Sequence, residues 1–285
     1  MISSAPRHVA LIVVEYGRSR SDPELAQVLR QLPADAVQRT ERVRTDVAPG
    51  QCLANPNEAF EFSGYQEGLQ RLLADAAWAQ DDGTPRVIVF INDTITTSHA
   101  TMLARYTMSQ LLALDLQRVR APALVGLTMR ATGAILAATD GLGYASTYAF
   151  ALVGQIEQLR QVRFYGPAEV ASRFTHEVLT QLPPDYVDSV RAWLEPAHPL
   201  MGWHNAVPGR VLDPTTRLRK QLAIHLEHTM PRRLRKLGFT FVDLGSLLPP
   251  AQRLRLQLLR VVDRMYINTL KLRVRLPQML GLQKR

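Results

Sequence analysis

At 285 residues, 46% hydrophobic and 21% charged, the chain can bury one large core with a smaller helical appendage, and its apolar content excludes disorder. Its single cysteine, Cys52, excludes an internal disulfide and fits a reducing compartment. The net charge of +9 is lopsided: residues 1–209 sum to −4 and residues 210–285 to +13, where only Asp213, Glu227, Asp243 and Asp263 oppose the cations.

In chain order, His8 to Tyr16 is a continuous aliphatic run suited to a strand buried on both faces. Its core, Val9 to Val14, is too brief for a signal peptide or a membrane span, so the expectation is a soluble or peripheral protein. Ser21 and Asp22 stand as caps before Pro23, and the stretch to Leu32 reads as a short helix. Arg42 to Val47 is a weaker, alternating strand, followed by a loop marked by Pro49, Gly50, Asn55, Pro56 and Asn57. Helical spacing of Leu69, Leu72, Leu73, Ala76 and Ala77 predicts a helix over Ser63–Trp78. A turn at Asp81–Gly83 leads to a strand at Arg86–Ile91 that ends in Asn92-Asp93-Thr94, then a helix from about Ala100 to Leu116 and a strand at Ala123–Met129. This alternation predicts an α/β protein with a mostly parallel sheet flanked by helices. Beyond Gln155 the pattern turns helical: Ile156–Arg163, Pro167–Gln181, Asp185–Leu194, Pro214–Leu237 and finally Ala251 to about Leu276. The charge break divides the chain into a sheet domain, 1–209, and a basic helical extension, 210–285.

In the last helix Arg253, Arg260, Arg264, Lys271 and Arg275 fall within one narrow stripe. Leu254, Leu258, Val261, Val262, Met265, Leu272 and Leu276 lie on the other side, interrupted by Arg255 and Arg273. Cations beside an apolar stripe suit a helix lying in the plane of an anionic membrane surface. Packing on its own domain with a solvated basic face is the plainer alternative. Arg217, Arg219, Lys220, Arg232, Arg233, Arg235 and Lys236 add to the basic excess and favour the membrane. Nucleic acid is the lesser partner, since Tyr266 is the one aromatic of the last helix on which a base could stack.

In a parallel sheet, ligand sites form beyond the carboxyl ends of the strands. Two ends carry polar residues: Glu15-Tyr16 and Asn92-Asp93-Thr94. A carboxylate there can hold a divalent cation against a diphosphate, although Asn and Asp also serve as plain turn and cap residues. Other signatures are missing. Gly141-x-Gly143 lacks the third glycine and the strand-to-helix setting of a dinucleotide fingerprint, and no Gly-Lys-Ser/Thr phosphate loop occurs. The seven His and one Cys show no zinc spacing; His225 and His228 flank Glu227 without the His-Glu-x-x-His order. No Gly-x-Ser-x-Gly elbow is present.

Asn57-Glu58-Ala59-Phe60-Glu61-Phe62-Ser63-Gly64-Tyr65-Gln66 before a helix, then Phe90-Ile91-Asn92-Asp93-Thr94, resembles bacterial surface-polysaccharide glycosyltransferases related to the rhamnan-synthesis family. Ala145 to Leu152 and Arg219 to His228 resemble that family's downstream strand and C-terminal helix, so the likeness runs in order over about residues 8–240. It implies a GT-A-like fold with a nucleotide-sugar site at the strand ends. Glu15, at the end of the first strand, joins Asn57, Glu61, Tyr65 and Asn92 as the expected donor pocket. The resemblance puts metal contacts at Asp93, and His204 is a second candidate ligand. Ala59 and Ser63 depart from the glycines usual in the motif, and the Asn-Asp pair supplies one carboxylate instead of two. Asp140, in a Gly-rich stretch, is the candidate base for removing the acceptor's proton, with a turn role as its alternative. Trp78, Trp193 and Trp203 read as core or interface anchors, with Trp203 also suited to stack on a sugar.

The expectation is thus a cytoplasmic glycosyltransferase, peripheral on the inner membrane face, using a nucleotide-sugar donor with Mn²⁺ or Mg²⁺. Its acceptor would be a lipid-linked or growing glycan. A non-catalytic protein of the same fold and a basic nucleic-acid-binding α/β protein are the alternatives.

Overall fold

The computed structural model describes residues 9–15, 37–44, 59–92, 102–129, 133, 135, 143–198, 202–203 and 209–279, with side chains for all of these but 44 and 270–279. The expected helix ending at Leu32 and the loop around Pro49–Asn57 lie outside these residues.

Six strands form one sheet in the order β2-β1-β3-β5-β4-β6. They are β1 (Val9–Glu15), β2 (Arg39–Arg44), β3 (Arg86–Asn92), β4 (Ala123–Met129), β5 (Tyr144–Gly154) and β6 (Thr240–Asp243). β1 pairs in parallel with β2 and β3, and β4 with β6; β5 alone runs antiparallel, between β3 and β4. The sheet is therefore mixed, with every strand but β5 pointing the same way. β2 begins three residues before the alternating stretch that announced it, because Arg39 to Arg44 take the register opposite Ala10 to Glu15.

β1 and β3 read as unbroken aliphatic runs because both faces of the sheet are covered. Ala10, Ile12 and Val14 enter one core with α1 (Glu61–Ala74) and α6 (Pro214–Lys236). Leu11 and Val13 enter the other, with α2 (Met102–Ala113). In the first core Phe90 and Phe150 stack at 4.8 Å, and Tyr65 stands edge-on to both at 5.5 and 5.3 Å.

The α1 helix lies close on β1 because it turns glycines toward it. A Cβ on Gly64 would stand 2.6 Å from a Val14 methyl carbon, and one on Gly68 would stand 2.5 Å from Ile12. Ser63, where the resemblance leads one to expect glycine, accepts the Ala59 N–H at 2.8 Å and closes the helix start.

Beyond β5 come α3 (Ile156–Arg160), α4 (Phe174–Glu177) and α5 (Pro184–Leu194). The expected Pro167–Gln181 helix is broken into α4 and a 3₁₀ turn at Leu179–Gln181. The basic last quarter joins the same architecture. Leu222, Leu226, Met230 and Leu234 of α6 enter the first core, and β6 extends the sheet beside β4. After α7 (Leu244–Leu247), the long helix α8 (Pro250–Met279) packs on α2 through Leu256, near Leu103 and Tyr106.

Candidate functional site

Five strands end at one edge of the sheet and β5 starts there, since Met129 pairs with Tyr144 and Ile91 with Ala149. A cleft of about 320 Å³ opens at this edge. β5 supplies Tyr144, Ser146 and Tyr148, α6 supplies Glu227, and α8 supplies Asp263 and Tyr266. Trp193 and Trp203 line it further, and they are fixed to each other: the Trp203 N–H donates to the Trp193 carbonyl at 2.6 Å. Between them Gly202 has φ +71°, and its missing Cβ leaves room for that carbonyl and for the Pro196 ring. The Lys220 ammonium stands over two rings, 5.2 Å from the Trp203 centroid and 5.6 Å from that of Phe60. Phe60 itself holds a positive φ of 54°, a strained state for a residue with a side chain, at the entry to α1.

Glu227 is the chemically distinctive group of the cleft. Its Oε1 accepts from both the N–H and the hydroxyl of Thr147, each at 3.3 Å. Burial and the nearby charge of Glu61 push its carboxyl up to about 7, against the opposing pull of the two Thr147 donors. Tyr148 is raised as well, by partial burial of a side chain that keeps 41% of its surface exposed and by the charges of Glu227, Glu61 and Asp263. Tyr144 and Tyr186 are raised by burial and by Glu227. A carboxyl poised near neutrality in an aromatic cleft can take or give a proton at ordinary pH.

A second polar cluster lies behind Glu227 on the same helix. The Tyr186 hydroxyl and Nδ1 of His228 are 3.0 Å apart, and burial with the charge of His225 depresses His228 to about 4. Glu169 pairs with Arg233 through both carboxylate oxygens and lies 3.2 Å from Nε2 of His225. Burial opposes the charge on Glu169, yet hydrogen bonds from His225 and Arg233, and the Arg233 charge, hold it down at about 2.

No protein-family model, curated protein or solved structure matches the chain.

The expected site residues divide into four sets. Asn57, Asp93, Asp140 and His204 lie outside the described residues. Glu15 and Asn92 are both buried at the carboxyl ends of the adjacent strands β1 and β3, and Glu15 pairs with Arg42 at 2.8 Å. Glu61, the first residue of α1, comes within electrostatic reach of Glu227 and Tyr148. Tyr65 is fully enclosed by Phe62, Phe90, Phe150 and Phe164, so its ring is core and does not line the cleft. Its hydroxyl instead donates to the Thr147 carbonyl at 2.6 Å, supporting the residue that holds Glu227. Among the described residues no three His, Cys, Asp or Glu are grouped to hold a metal ion.

Sequence reasoning passed over Glu227. A signal was available: it is the lone acid in a helix carrying Arg217, Arg219, Lys220, Arg232, Arg233, Arg235 and Lys236. Its neighbours Leu226 and His228 are both buried.

Proposed function

We propose that this protein transfers a sugar from a nucleotide-sugar donor to a hydroxyl acceptor, with Glu227 taking the acceptor's proton. The observation that carries this reading is a carboxyl set among aromatic rings in a cleft at the carboxyl edge of an α/β sheet. Trp193, Trp203, Tyr148 and Tyr266 offer the flat apolar faces on which sugar rings stack, and Ser146, Asp263 and Glu227 offer hydrogen-bonding groups. A GT-A-like fold belongs to the same proposal. It is supported by the resemblance over Asn57–Gln66 and Phe90–Thr94, and by a sheet with helices on both faces.

In this reaction the ionised Glu227 removes the hydroxyl proton as the acceptor oxygen bonds to the anomeric carbon. The bond from that carbon to the diphosphate breaks, and the nucleoside diphosphate leaves with the electron pair. Thr147 keeps Oε1 in place, while the second carboxylate oxygen accepts no hydrogen bond among the described residues. The donor would lie toward Glu15 and Asn92 at the neighbouring strand ends.

Thermal stabilisation by UDP-, GDP-, CMP- and dTDP-sugars, with and without Mn²⁺ or Mg²⁺, tests donor binding. Release of the nucleotide by wild type and by Glu227→Gln tests the chemistry: a nucleoside diphosphate from the UDP-, GDP- and dTDP-sugars, CMP from the CMP-sugars. The expected result is stabilisation by one nucleotide class in both proteins, with release by wild type alone. Stabilisation without release would make the protein a non-catalytic binder, and no stabilisation by any donor would overturn the proposal.

A further inference from the structure

The outward face of α8 is apolar. Leu254, Leu258, Val261, Val262, Met265 and Tyr266 are 42 to 64% exposed. Leu254, Leu258, Val261 and Met265 follow one another at the four-three-four spacing that makes a straight stripe along a helix. Leu256, on the opposite side, is 1% exposed and anchors the helix to α2. The stripe thus faces away from the protein, where apolar surface of this extent calls for a partner.

Charge decides between partners. α8 carries Arg253, Arg255, Arg260, Arg264, Lys271, Arg273 and Arg275 against one acid, Asp263, which lines the cleft. Two copies meeting along this stripe would set like charges against each other, whereas an anionic lipid surface complements them. Two of the cations that the sequence assigns to lipid are engaged within the fold. Arg253 donates to the carbonyls of Gly245 at 2.9 Å and Leu248 at 3.2 Å, and Arg260 reaches Asp243 at 3.5 Å. Arg264 is exposed beside the stripe, Arg255 stacks 5.1 Å over Tyr106, and the sequence continues with Lys271, Arg273 and Arg275. No helix among the described residues is long and apolar enough to cross a bilayer, so the helix would lie in the interface.

We propose that α8 docks this protein on an anionic lipid surface, with the Leu254–Met265 stripe dipping below the headgroups. Tyr266 belongs both to this face and to the lining of the cleft, so docking sets the cleft beside the lipid. With the transferase reading, on which this step rests, the acceptor is a saccharide carried on a lipid.

Removing α8 would also strip Leu256 from the core, so the test uses exposed positions in the full chain. Wild type and Leu258→Glu/Met265→Glu are mixed with vesicles of phosphatidylcholine alone or with one-fifth phosphatidylglycerol, then sedimented, with circular dichroism as the control for folding. The expected result is sedimentation of wild type with the anionic vesicles, at least tenfold weaker for the double variant and for neutral vesicles. Wild type left in solution with anionic vesicles would overturn the proposal. So would a dimer in solution that the double variant converts to monomer, because a second copy would then cover the stripe. Donor stabilisation measured without lipid keeps failure of docking distinct from failure of the transferase reading.

Discussion

Thr147 grips one oxygen of Glu227 with two donors, its N–H and its hydroxyl, both 3.3 Å from Oε1. The same residue's carbonyl receives the Tyr65 hydroxyl at 2.6 Å, so a core tyrosine, a strand residue and a helix carboxyl form one continuous chain of hydrogen bonds. The carboxyl is held by β5 rather than by its own helix, and this fixes its place at the sheet edge.

If the proposed transfer takes place, nucleotide release should rise with pH through about 7, because Glu227 could serve as a base only when ionised. Glu227→Gln should lose roughly 10²–10⁴-fold in kcat. A pH–rate profile of the two proteins checks this; a variant as active as wild type would remove Glu227 from the chemistry.

The same carboxyl links stability to pH. Its folded pKa of about 7 lies above the ordinary 4.5, so its contribution is fully present below 4.5 and is lost as pH rises through 7. The loss is on the order of 3 kcal/mol at full ionisation. Urea unfolding from pH 5 to 8 should show this decline in wild type, and Glu227→Gln should flatten it.

Glu169 works in the opposite direction. Held at about 2, it contributes stability above 4.5 that disappears as pH falls toward 2. Arg233→Met leaves the buried carboxylate without its counter-charge, with the His225 ring and the Gly166 N–H as remaining partners, and should cost about 3–5 kcal/mol near neutral pH. Denaturant midpoints read this directly, and Glu169→Gln combined with Arg233→Met should recover part of the loss.

Gly64→Ala places a methyl 2.6 Å from Val14 at the contact between α1 and β1. Overpacking of this kind costs about 1–3 kcal/mol. The melting temperature should fall, and Val14→Ala in the same chain should restore most of it.

Trp203→Ala removes both a wall of the cleft and a ring beside Lys220. An aromatic contact is worth about 0.5–1.5 kcal/mol, so under the proposed transferase function the acceptor KM should rise by up to about tenfold with kcat little changed. A fall in kcat at constant KM would place Trp203 in the chemistry instead.

The buried strands were legible because β1, β3 and β4 are continuous aliphatic runs with no competing helical period. β6 was not, since Thr240 to Asp243 is four residues long and becomes a strand only by pairing with β4. The broken helix over 167–181 shows tertiary context overriding local pattern: Glu169, inside that stretch, is held by Arg233 and His225 of α6. For the site, Glu15 and Asn92 pointed to the edge of the sheet at which the cleft opens. It did not point to the cleft, whose walls come from residues 103 to 267. No local motif can report a juxtaposition made across such separations. Glu61 was legible as polar at a helix start; that it biases the proton on a residue 166 positions away appears only once α1 and α6 are packed.

The last quarter of the chain completes a sheet begun by the first, and this has a consequence for how the protein is made. Until residues 214–243 leave the ribosome, Leu124, Phe150 and Leu152 lack the cover of α6, and β4 has an open edge where β6 will pair. Synthesis must therefore run through most of the sequence before the sheet can close, with apolar faces and a strand edge exposed meanwhile. Nascent chains halted near residue 209 should be sticky, chaperone-dependent species, and full-length product should acquire protease resistance abruptly instead of in stages.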